Sequence, residues 1–279
     1  MKIYIPSLSR SGVVRTGTVG EFPPKLLQNL RVVVPTEQVA AYEENLAEPI
    51  EHGLQVLSCP EKGISHTRRW IGEQAAAANE PKFLMLDDDL GLLIRRGPST
   101  WRLRGTTPVE VESMMRVLEG YLDTHACVGI SPREGQNRYE ADKVNSFAIN
   151  TRIIRALGFQ TDAFLACEHG RVQVMEDFDV LLQLLRRGQS NALLTYFAQG
   201  QGQTQAQGGC SEYRTHENHA ASAEKLALLH PGYVNTRWKK NKGGGEFGER
   251  KEVTIRWKKA FQEAPDAADS SIRRHSEAK

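Results

Sequence analysis

The chain has 279 residues, of which 39% are hydrophobic and 25% are charged, a composition typical of a globular protein with a large core. No apolar run approaches the roughly 20 residues that span a bilayer, and the N-terminal residues lack the apolar stretch of a signal peptide. The four cysteines are widely spaced and form no C-x-x-C pair, which argues against a disulfide framework or a zinc knuckle. We therefore expect a cytoplasmic protein with reduced thiols.

The net charge of +2 is distributed unevenly along the chain. Residues 237–259 contain nine Lys or Arg and three Glu, a local net charge of +6, and the last twenty residues have a net charge of −1. That leaves a net charge of −3 for residues 1–236. A basic segment of this kind often contacts a polyanion.

Strand and helix patterns alternate through roughly the first ninety residues. A helix is predicted from GISHTRRW onward, with Ser65 as its N-cap and an alanine-rich body of high helix propensity. Such alternation is typical of parallel strands covered by helices, and it predicts an α/β fold. The predicted strands of this part are short, apolar and bounded by turn residues, and they comprise residues 2–6, 31–35, 54–60 and 82–87.

The second half of the chain continues the pattern less regularly. Apolar residues at helical spacing between 111 and 122 predict an amphipathic helix. The segment EDFDVLLQLLRRG, residues 176–188, predicts another helix, with acidic residues in its first turn. A Gln/Gly-rich stretch from about residue 199 predicts a flexible loop or lid, and a last helix should end at Pro231–Gly232. Further strands are predicted at 127–132, 145–150 and 192–198.

Three consecutive carboxylates follow the predicted strand in KFLMLDDDLGLL. They lie at the edge of the sheet where open α/β folds bind ligands. On an extended chain Asp87 and Asp89 point to one side and Asp88 to the other. Adjacent carboxylates need a neutralising charge, and Mg²⁺ or Mn²⁺ prefers oxygen ligands. The pattern predicts a divalent cation on Asp87 and Asp89; the alternative is an acidic turn that caps a helix.

A second acidic cluster, Glu176, Asp177 and Asp179, begins the helix at 176–188. Acidic residues in a first helical turn interact favourably with the helix dipole, and a single acid would be sufficient for that role. Three acids among the first four residues favour a further role as catalytic acid or base.

Four segments in this order resemble the GT-A glycosyltransferases: IPSLSR, GISHTRRW, FLMLDDD and EDFDVLLQLLRRG. The resemblance implies a GT-A-like α/β three-layer sandwich with a mostly parallel central sheet, in which a D-x-D motif holds a divalent cation on the diphosphate of a sugar nucleotide. Within that fold the chain is similar to the bacteriophage TET/JBP-associated glycosyltransferases, through IPSxxR, GISxTRxW, the triple Asp and the C-terminal EKLALLHPGYV and IRWKKA. This similarity implies sugar transfer from a nucleotide-sugar donor, UDP-linked, to a hydroxymethylated pyrimidine in phage DNA.

The resemblance also implies roles for individual residues. Asp177 matches the general base, with Glu176 beside it, and a histidine near the C-terminal end would be a further metal ligand. His216 is the first candidate for that ligand and His219 the second. The remaining matches are the first nucleotide loop, the helix N-terminus that faces the donor, and the metal motif: Pro6, Ser7 and Arg10; Ser65 and Arg68; Asp87, Asp88 and Asp89.

We predict a glycosyltransferase domain over residues 1–232, with a donor half at about 1–95 and an acceptor half at about 96–232. A basic extension follows at 233–260, and a disordered tail at 261–279. The extension would contact DNA phosphates, with Trp238 or Trp257 stacking on a base; the alternative is a solvated basic segment. The predicted DNA contacts are Arg237, Trp238, Lys239, Lys240 and Trp257.

Two other functions fit parts of the sequence. A sugar-nucleotide nucleotidyltransferase of related fold would place a glycine-rich basic loop after the first strand, and IPSLSRSG is a poor match to such a loop. A non-catalytic nucleic-acid-binding protein would have no need of two intact acidic clusters. The sequence leaves the sugar, the acceptor base and the stereochemical course open.

Overall fold

A computed structural model describes residues 1–97, 102–133, 147–201, 215–240 and 249–265. Ten of the described strands form one sheet in the order β3-β2-β1-β4-β9-β7-β10-β5-β6, with β8 paired to β10. Their bounds are β1 (Lys2–Pro6), β2 (Leu30–Pro35), β3 (Gln55–Cys59), β4 (Lys82–Leu86), β5 (Leu90–Arg95), β6 (Leu103–Gly105), β7 (Cys127–Pro132), β8 (Phe147–Ile149), β9 (Ala156–Gln160) and β10 (Asn191–Gln201).

The sheet is mostly parallel, as predicted. Strands β3, β2, β1 and β4 run in one direction, and β7 and β10 run parallel to each other. Strand β9 lies antiparallel between β4 and β7, while β5 and β8 are antiparallel to β10. Strand β6 is antiparallel to β5. Seven of the ten described strands therefore point the same way, and their carboxyl ends share one edge of the sheet.

The helices cover both faces of this sheet. Their bounds are α1 (Ser11–Thr16), α2 (Pro24–Leu27), α3 (Val39–Asn45), α4 (Ala47–Glu51), α5 (Ile64–Ala77), α6 (Pro108–Tyr121), α7 (Thr161–Leu165), α8 (Glu176–Arg186), α9 (His216–Leu229) and α10 (Trp257–Gln262). All of the described helices fall short of the length and apolarity that a membrane crossing requires.

Side-chain alternation along β1 divides the core into two layers. Ile3 and Ile5 pack in one apolar cluster, together with residues of α3 and α6. Tyr4 packs in the other, together with residues of α5, α7 and α8. Because successive residues of a strand project to opposite faces, an almost uninterrupted apolar strand supplies both clusters. The predicted three-layer α/β sandwich is thereby confirmed.

The predicted N-cap of α5 is wrong. Gly63 occupies the cap position with a φ of 83°, a conformation that glycine adopts without steric cost. Ser65 lies within the first turn, where its Oγ accepts a hydrogen bond of 2.9 Å from the backbone N–H of Gly170. The serine hydroxyl therefore joins α5 to a distant loop and leaves the helix end to glycine.

The C-terminal segment packs against the main body of the protein. Strands β11 (Val234–Lys240) and β12 (Glu249–Ile255) form an antiparallel hairpin, and Val234, Ala260 and Phe261 share an apolar cluster with Phe178 of α8. Since Phe261 is buried, the structure differs from the predicted disordered tail at that residue. Residues 266–279 of that prediction lie outside the described residues.

Candidate active site

A cleft of about 1030 Å³ opens at the carboxyl edge of the sheet. One wall, which we call the donor wall, is formed by the segments that follow β1, β2, β3 and β4. The rest of the lining, which we call the acceptor wall, is formed by residues 152–155, the start of α8, the start of α9 and strand β12. This edge is where open α/β sheets bind ligands, so the cleft is the candidate active site.

The acidic triplet forms a tight turn between β4 and β5 on the donor wall. Arg10 Nη1 donates to Asp88 Oδ1 over 3.1 Å and to Asp89 Oδ2 over 3.4 Å. Asp88 and Asp89 thus share one guanidinium, so the prediction that Asp88 points to the side opposite Asp89 is wrong. The alternation rule assumes an extended chain, and the backbone turns at this point.

A chain of hydrogen bonds holds Asp88 in place. Ser7 Oγ donates to Asp88 Oδ2 over 2.5 Å and also lies 2.8 Å from the Tyr42 hydroxyl. Because the single Ser7 proton goes to Asp88, the Tyr42 hydroxyl must donate to Ser7. Tyr42 in turn accepts the backbone N–H of Arg10 over 2.9 Å. The relay runs from Arg10 through Tyr42 and Ser7 to the carboxylate, and sequence analysis had missed Tyr42.

The backbone of the triplet is fixed as well. Thr18 Oγ1 donates to the carbonyl oxygen of Asp87 over 2.5 Å and accepts the N–H of Leu90 over 2.9 Å. A Cβ on Gly17 would lie 2.9 Å from the carbonyl oxygen of Asp88, closer than real Cβ contacts come. The turn that presents the carboxylates therefore depends on a threonine and a glycine in the neighbouring segment.

Arg68 connects the two acidic clusters. Its Nη2 donates to Asp87 Oδ1 over 3.2 Å and its Nη1 donates to Glu176 Oε1 over 2.7 Å. Burial raises the pKa of Asp87 to about 6, although Arg68 acts in the opposite direction. Burial likewise raises the pKa of Glu176 to about 7, again opposed by Arg68.

The second acidic cluster is divided between two environments. Glu176 and Asp177 line the cleft, and Asp177 Oδ1 accepts the N–H of Phe178 over 2.9 Å at the start of α8. Asp179 is buried and accepts hydrogen bonds from His230 and Arg171. Burial favours protonation of Asp179, but the hydrogen bonds from His230 and Arg171 hold its pKa below the usual range. The cluster therefore offers two acids to the cleft and uses the third to anchor the helix.

Most of the predicted site residues come together around this cleft. Ser65 lies behind its surface, next to a small cavity, and Asp89 is almost fully covered. Gln201 Nε2 donates to Asp89 Oδ2 over 3.0 Å, and Asp89 Oδ1 is buried without a hydrogen-bond partner among the described residues. The predicted residues that line the cleft are Pro6, Ser7, Arg10, Arg68, Asp87, Asp88, Glu176, Asp177, His216 and His219.

The donor wall fits a hard divalent cation through few protein ligands. Within the described part of the chain, no three His, Cys, Asp or Glu side chains converge as a preformed metal cage. Mg²⁺ is commonly held by one or two carboxylates together with waters and substrate phosphates. The unpartnered Asp89 oxygen and the partly exposed Asp87 carboxylate are of the right chemical type for such a site. A metal site here stays a prediction.

The two predicted stacking tryptophans have different surroundings. Trp257 makes a T-shaped ring contact with Phe178, with 5.6 Å between ring centroids, and packs against the apolar cluster of α8. Trp257 is therefore partly buried, and less of its ring is accessible than of the Trp238 ring. Trp238 is 64% exposed on β11, and Arg237 and Lys239 beside it are exposed as well. The side chain of Lys240 lies outside the described residues.

Sequence analysis missed two arginines of the acceptor wall, Arg152 and Arg155. The Arg152 guanidinium lies 4.8 Å from the centroid of the Phe178 ring. Arg155 has a φ of 67°, and its carbonyl oxygen accepts the N–H of Asp87 over 2.9 Å. The left-handed backbone of a non-glycine residue costs free energy, and the hydrogen bond to Asp87 joins this loop to the acidic turn. No local pattern in the sequence signals either arginine.

Comparison with known proteins identifies similar sequences and folds. The family model described as TET-Associated Glycosyltransferase matches residues 1–209. A mannose-1-phosphate geranyltransferase structure from Thermus thermophilus has 9% identity and a TM-score of 0.45, covering 71% of this chain and 75% of the other. The structure of S. aureus TarS 1-349 has 12% identity and a TM-score of 0.44, covering 81% and 66%. A putative glucose-1-phosphate thymidylyltransferase from Bacillus anthracis has 10% identity and a TM-score of 0.40, covering 88% and 98%. No curated protein matches the chain.

Proposed function

Because the chain belongs to the TET-associated glycosyltransferase family, and is thus a glycosyltransferase, we propose that its acceptor is the hydroxyl of a hydroxymethylpyrimidine in DNA. The donor would be a nucleotide sugar, UDP-linked, held with Mg²⁺ or Mn²⁺ at the donor wall. The observation that supports this proposal is the bridge that Arg68 makes between Asp87 and Glu176. Through this bridge, the acidic triplet that would hold a metal ion on a diphosphate lies in one cleft with two potential bases, Glu176 and Asp177.

The donor wall would bind and orient the nucleotide sugar. Arg10 and Arg68 supply guanidinium groups suited to phosphate oxygens, and both now neutralise carboxylates. The relay through Tyr42 and Ser7 keeps Asp88 fixed, so that little reorganisation accompanies binding. A bound Mg²⁺ or Mn²⁺ would neutralise the charge that develops on the departing diphosphate.

Asp177 would act as the general base. Its carboxylate lines the cleft at the start of α8, and the backbone N–H of Phe178 fixes one of its oxygens. It would accept the proton of the acceptor hydroxyl as that oxygen attacks the anomeric carbon. Attack from the face opposite the diphosphate would invert the anomeric centre. Glu176 would hold Arg68 in place between the base and the donor phosphates.

A panel of sugar nucleotides tests this proposal. Each donor is incubated with the full chain and duplex or single-stranded DNA, with or without hydroxymethylcytosine, in Mg²⁺, Mn²⁺ or EDTA. Mass spectrometry should detect a hexose-sized mass increase only on hydroxymethylated DNA and only with the cation. Asp87→Asn should abolish the increase. Transfer that persists in EDTA contradicts the metal assignment, and release of pyrophosphate from a sugar phosphate and a nucleoside triphosphate would show a nucleotidyltransferase instead.

A further inference from the structure

We propose that a cationic track on the acceptor wall binds the phosphodiester backbone of the acceptor polynucleotide. The track consists of Arg152, Arg237, Lys239 and Arg250. The inference rests on the proposed function, because it specifies how a nucleic-acid acceptor is held beside the proposed base. It also separates the basic residues of the hairpin into those that face the cleft and those that do not.

The pairing of β11 with β12 defines the cleft-facing side of the hairpin. Arg237 is paired with Glu252, and Lys239 is paired with Arg250. Paired residues of antiparallel strands project to the same face of a sheet. Arg250 and Glu252 line the cleft. Arg237 and Lys239 therefore extend the same face away from the cleft.

The residues between them belong to the opposite face. Trp238 is paired with Lys251, whose ammonium group lies 5.6 Å from the centroid of the Trp238 ring. Lys251 also contacts Glu224 of α9. This side of the hairpin therefore packs towards α9, so that the charge of Lys251 is directed away from the track.

Arg152 is the end of the track nearest the proposed base. Its guanidinium rests against the ring of Phe178, the residue that follows Asp177 at the start of α8. Arg152 is exposed to the cleft and makes no ion pair with a carboxylate of the described residues. Stacking on an aromatic ring holds a guanidinium while its N–H groups remain available to a phosphate.

The distribution of charge distinguishes the track from the donor wall. Among the described residues, Arg250 pairs with the carboxylate of Glu252, while the other three cations of the track make no ion pair with a described carboxylate. On the donor wall, Arg10 and Arg68 each contact two carboxylates. A diphosphate bound with a metal ion suits the acidic wall, whereas a polyanion bound without a metal ion requires surplus positive charge.

Two charge-neutralising variants test the track against a matched control. Arg152→Ala and the double variant Arg237→Gln/Lys239→Gln alter the track, and Lys225→Gln/Lys251→Gln removes two charges from the hairpin's other face and from α9. We measure binding of unmodified DNA at several salt concentrations by anisotropy, the KM for hydroxymethylated DNA and for donor, and donor hydrolysis without DNA. The track variants should raise the DNA KM about tenfold and lower the salt slope by about 1 per residue, as expected for phosphate contacts.

The outcomes separate this proposal from the proposed function. The KM for donor and the rate of donor hydrolysis should stay within about twofold of the unmodified chain, since Arg152 and Arg250 contact Phe178 and Glu252, respectively, and no described side chain of the donor wall. DNA affinity and salt slope that match those of the control variant would overturn the track, whichever acceptor is used. If the unmodified chain glycosylates no DNA while the track variants still lose salt-dependent DNA binding, the proposed acceptor is wrong and the track stands.

Discussion

The two walls of the cleft are built in different ways. On the donor wall, the side chains of Ser7, Arg10 and Asp88 are buried in one hydrogen-bonded relay that joins β1 to the turn after β4. On the acceptor wall, Arg152 and Lys239 are exposed and come from segments far apart in sequence. This difference fits the two proposals, in which a preorganised donor wall binds a small ligand and an exposed, charged acceptor wall binds a large one.

The two walls also differ in what supports them. The donor turn is held by its neighbours in the parallel sheet, through Thr18 and Gly17. The acceptor wall depends on α8, and α8 depends on a buried network that joins Asp179 to His230 at the end of α9. A change at the donor wall should therefore alter ligand binding, whereas a change under α8 should alter folding first.

The largest expected effect is on the acceptor wall itself. Asp177→Asn removes the proposed base and should lower the transfer rate by about 10²- to 10⁴-fold, the usual contribution of general base catalysis. The KM for donor should change much less than the rate, because Asp177 hydrogen-bonds to the backbone of Phe178 and acts on Asp87 of the donor wall only through its charge. Steady-state kinetics with hydroxymethylated DNA measures both quantities. Asp162→Asn, an exposed first-turn acid of α7, is the control. A loss of donor binding equal to the loss of rate would contradict the division between the walls.

The next effect is on stability. Asp179→Ala leaves Arg171 and His230 without their carboxylate and should lower the free energy of unfolding by about 3–5 kcal/mol, as for other broken buried pairs. Urea unfolding monitored by circular dichroism measures it. Asp162→Ala, at an exposed helix start, should cost only about 0.3–1 kcal/mol. Normal stability with lost transfer in Asp179→Ala would show that Asp179 acts in the cleft instead.

Sequence patterns predicted the donor wall better than the acceptor wall. The apolar strands and the acidic triplet after β4 follow from local composition, since a buried strand and its ending are visible in a few residues. The orientation within the triplet was not predictable, because Arg10 and Thr18 determine it through contacts from a distant segment. The predicted N-cap at Ser65 is wrong for the same reason, because the Ser65 hydroxyl bonds to the backbone of Gly170, which is distant in sequence.

The acceptor wall is formed almost entirely by tertiary contacts. Arg152 is positioned by Phe178, and Asp179 of α8 is held by His230, in each case across tens of residues. The basic segment was visible as charge, but only the β11–β12 pairing shows which of its side chains face the cleft. The charges of a segment can be counted from its sequence, whereas the face to which each side chain projects depends on the register of the strands.

A pH effect compares the two clusters that Arg68 bridges. Glu176 has a pKa raised by burial to about 7, so the folded state holds its proton more tightly than the unfolded chain. That contribution to stability is fully present below pH 4 and is lost as the pH rises from about 4 to about 7. Glu176→Gln removes this titration. Between pH 4 and pH 7 the unfolding free energy of the variant should therefore fall by about 1–3 kcal/mol less than that of the unmodified chain. Thermal unfolding in EDTA at pH 5 and pH 8 measures the difference. An identical decline in both proteins would contradict the raised pKa.

The smallest effect concerns the relay of the donor wall. Tyr42→Phe deletes the hydroxyl that accepts the Arg10 N–H and donates to Ser7, at a cost of about 1 kcal/mol. Because Asp88 is then less firmly held, the KM for donor should rise about tenfold while DNA binding is unchanged. Tyr4→Phe is the matched control, since its buried hydroxyl donates to Glu80 away from the cleft. If both variants change the donor KM equally, the effect is one of general stability, and the donor wall is less preorganised than its hydrogen bonds indicate.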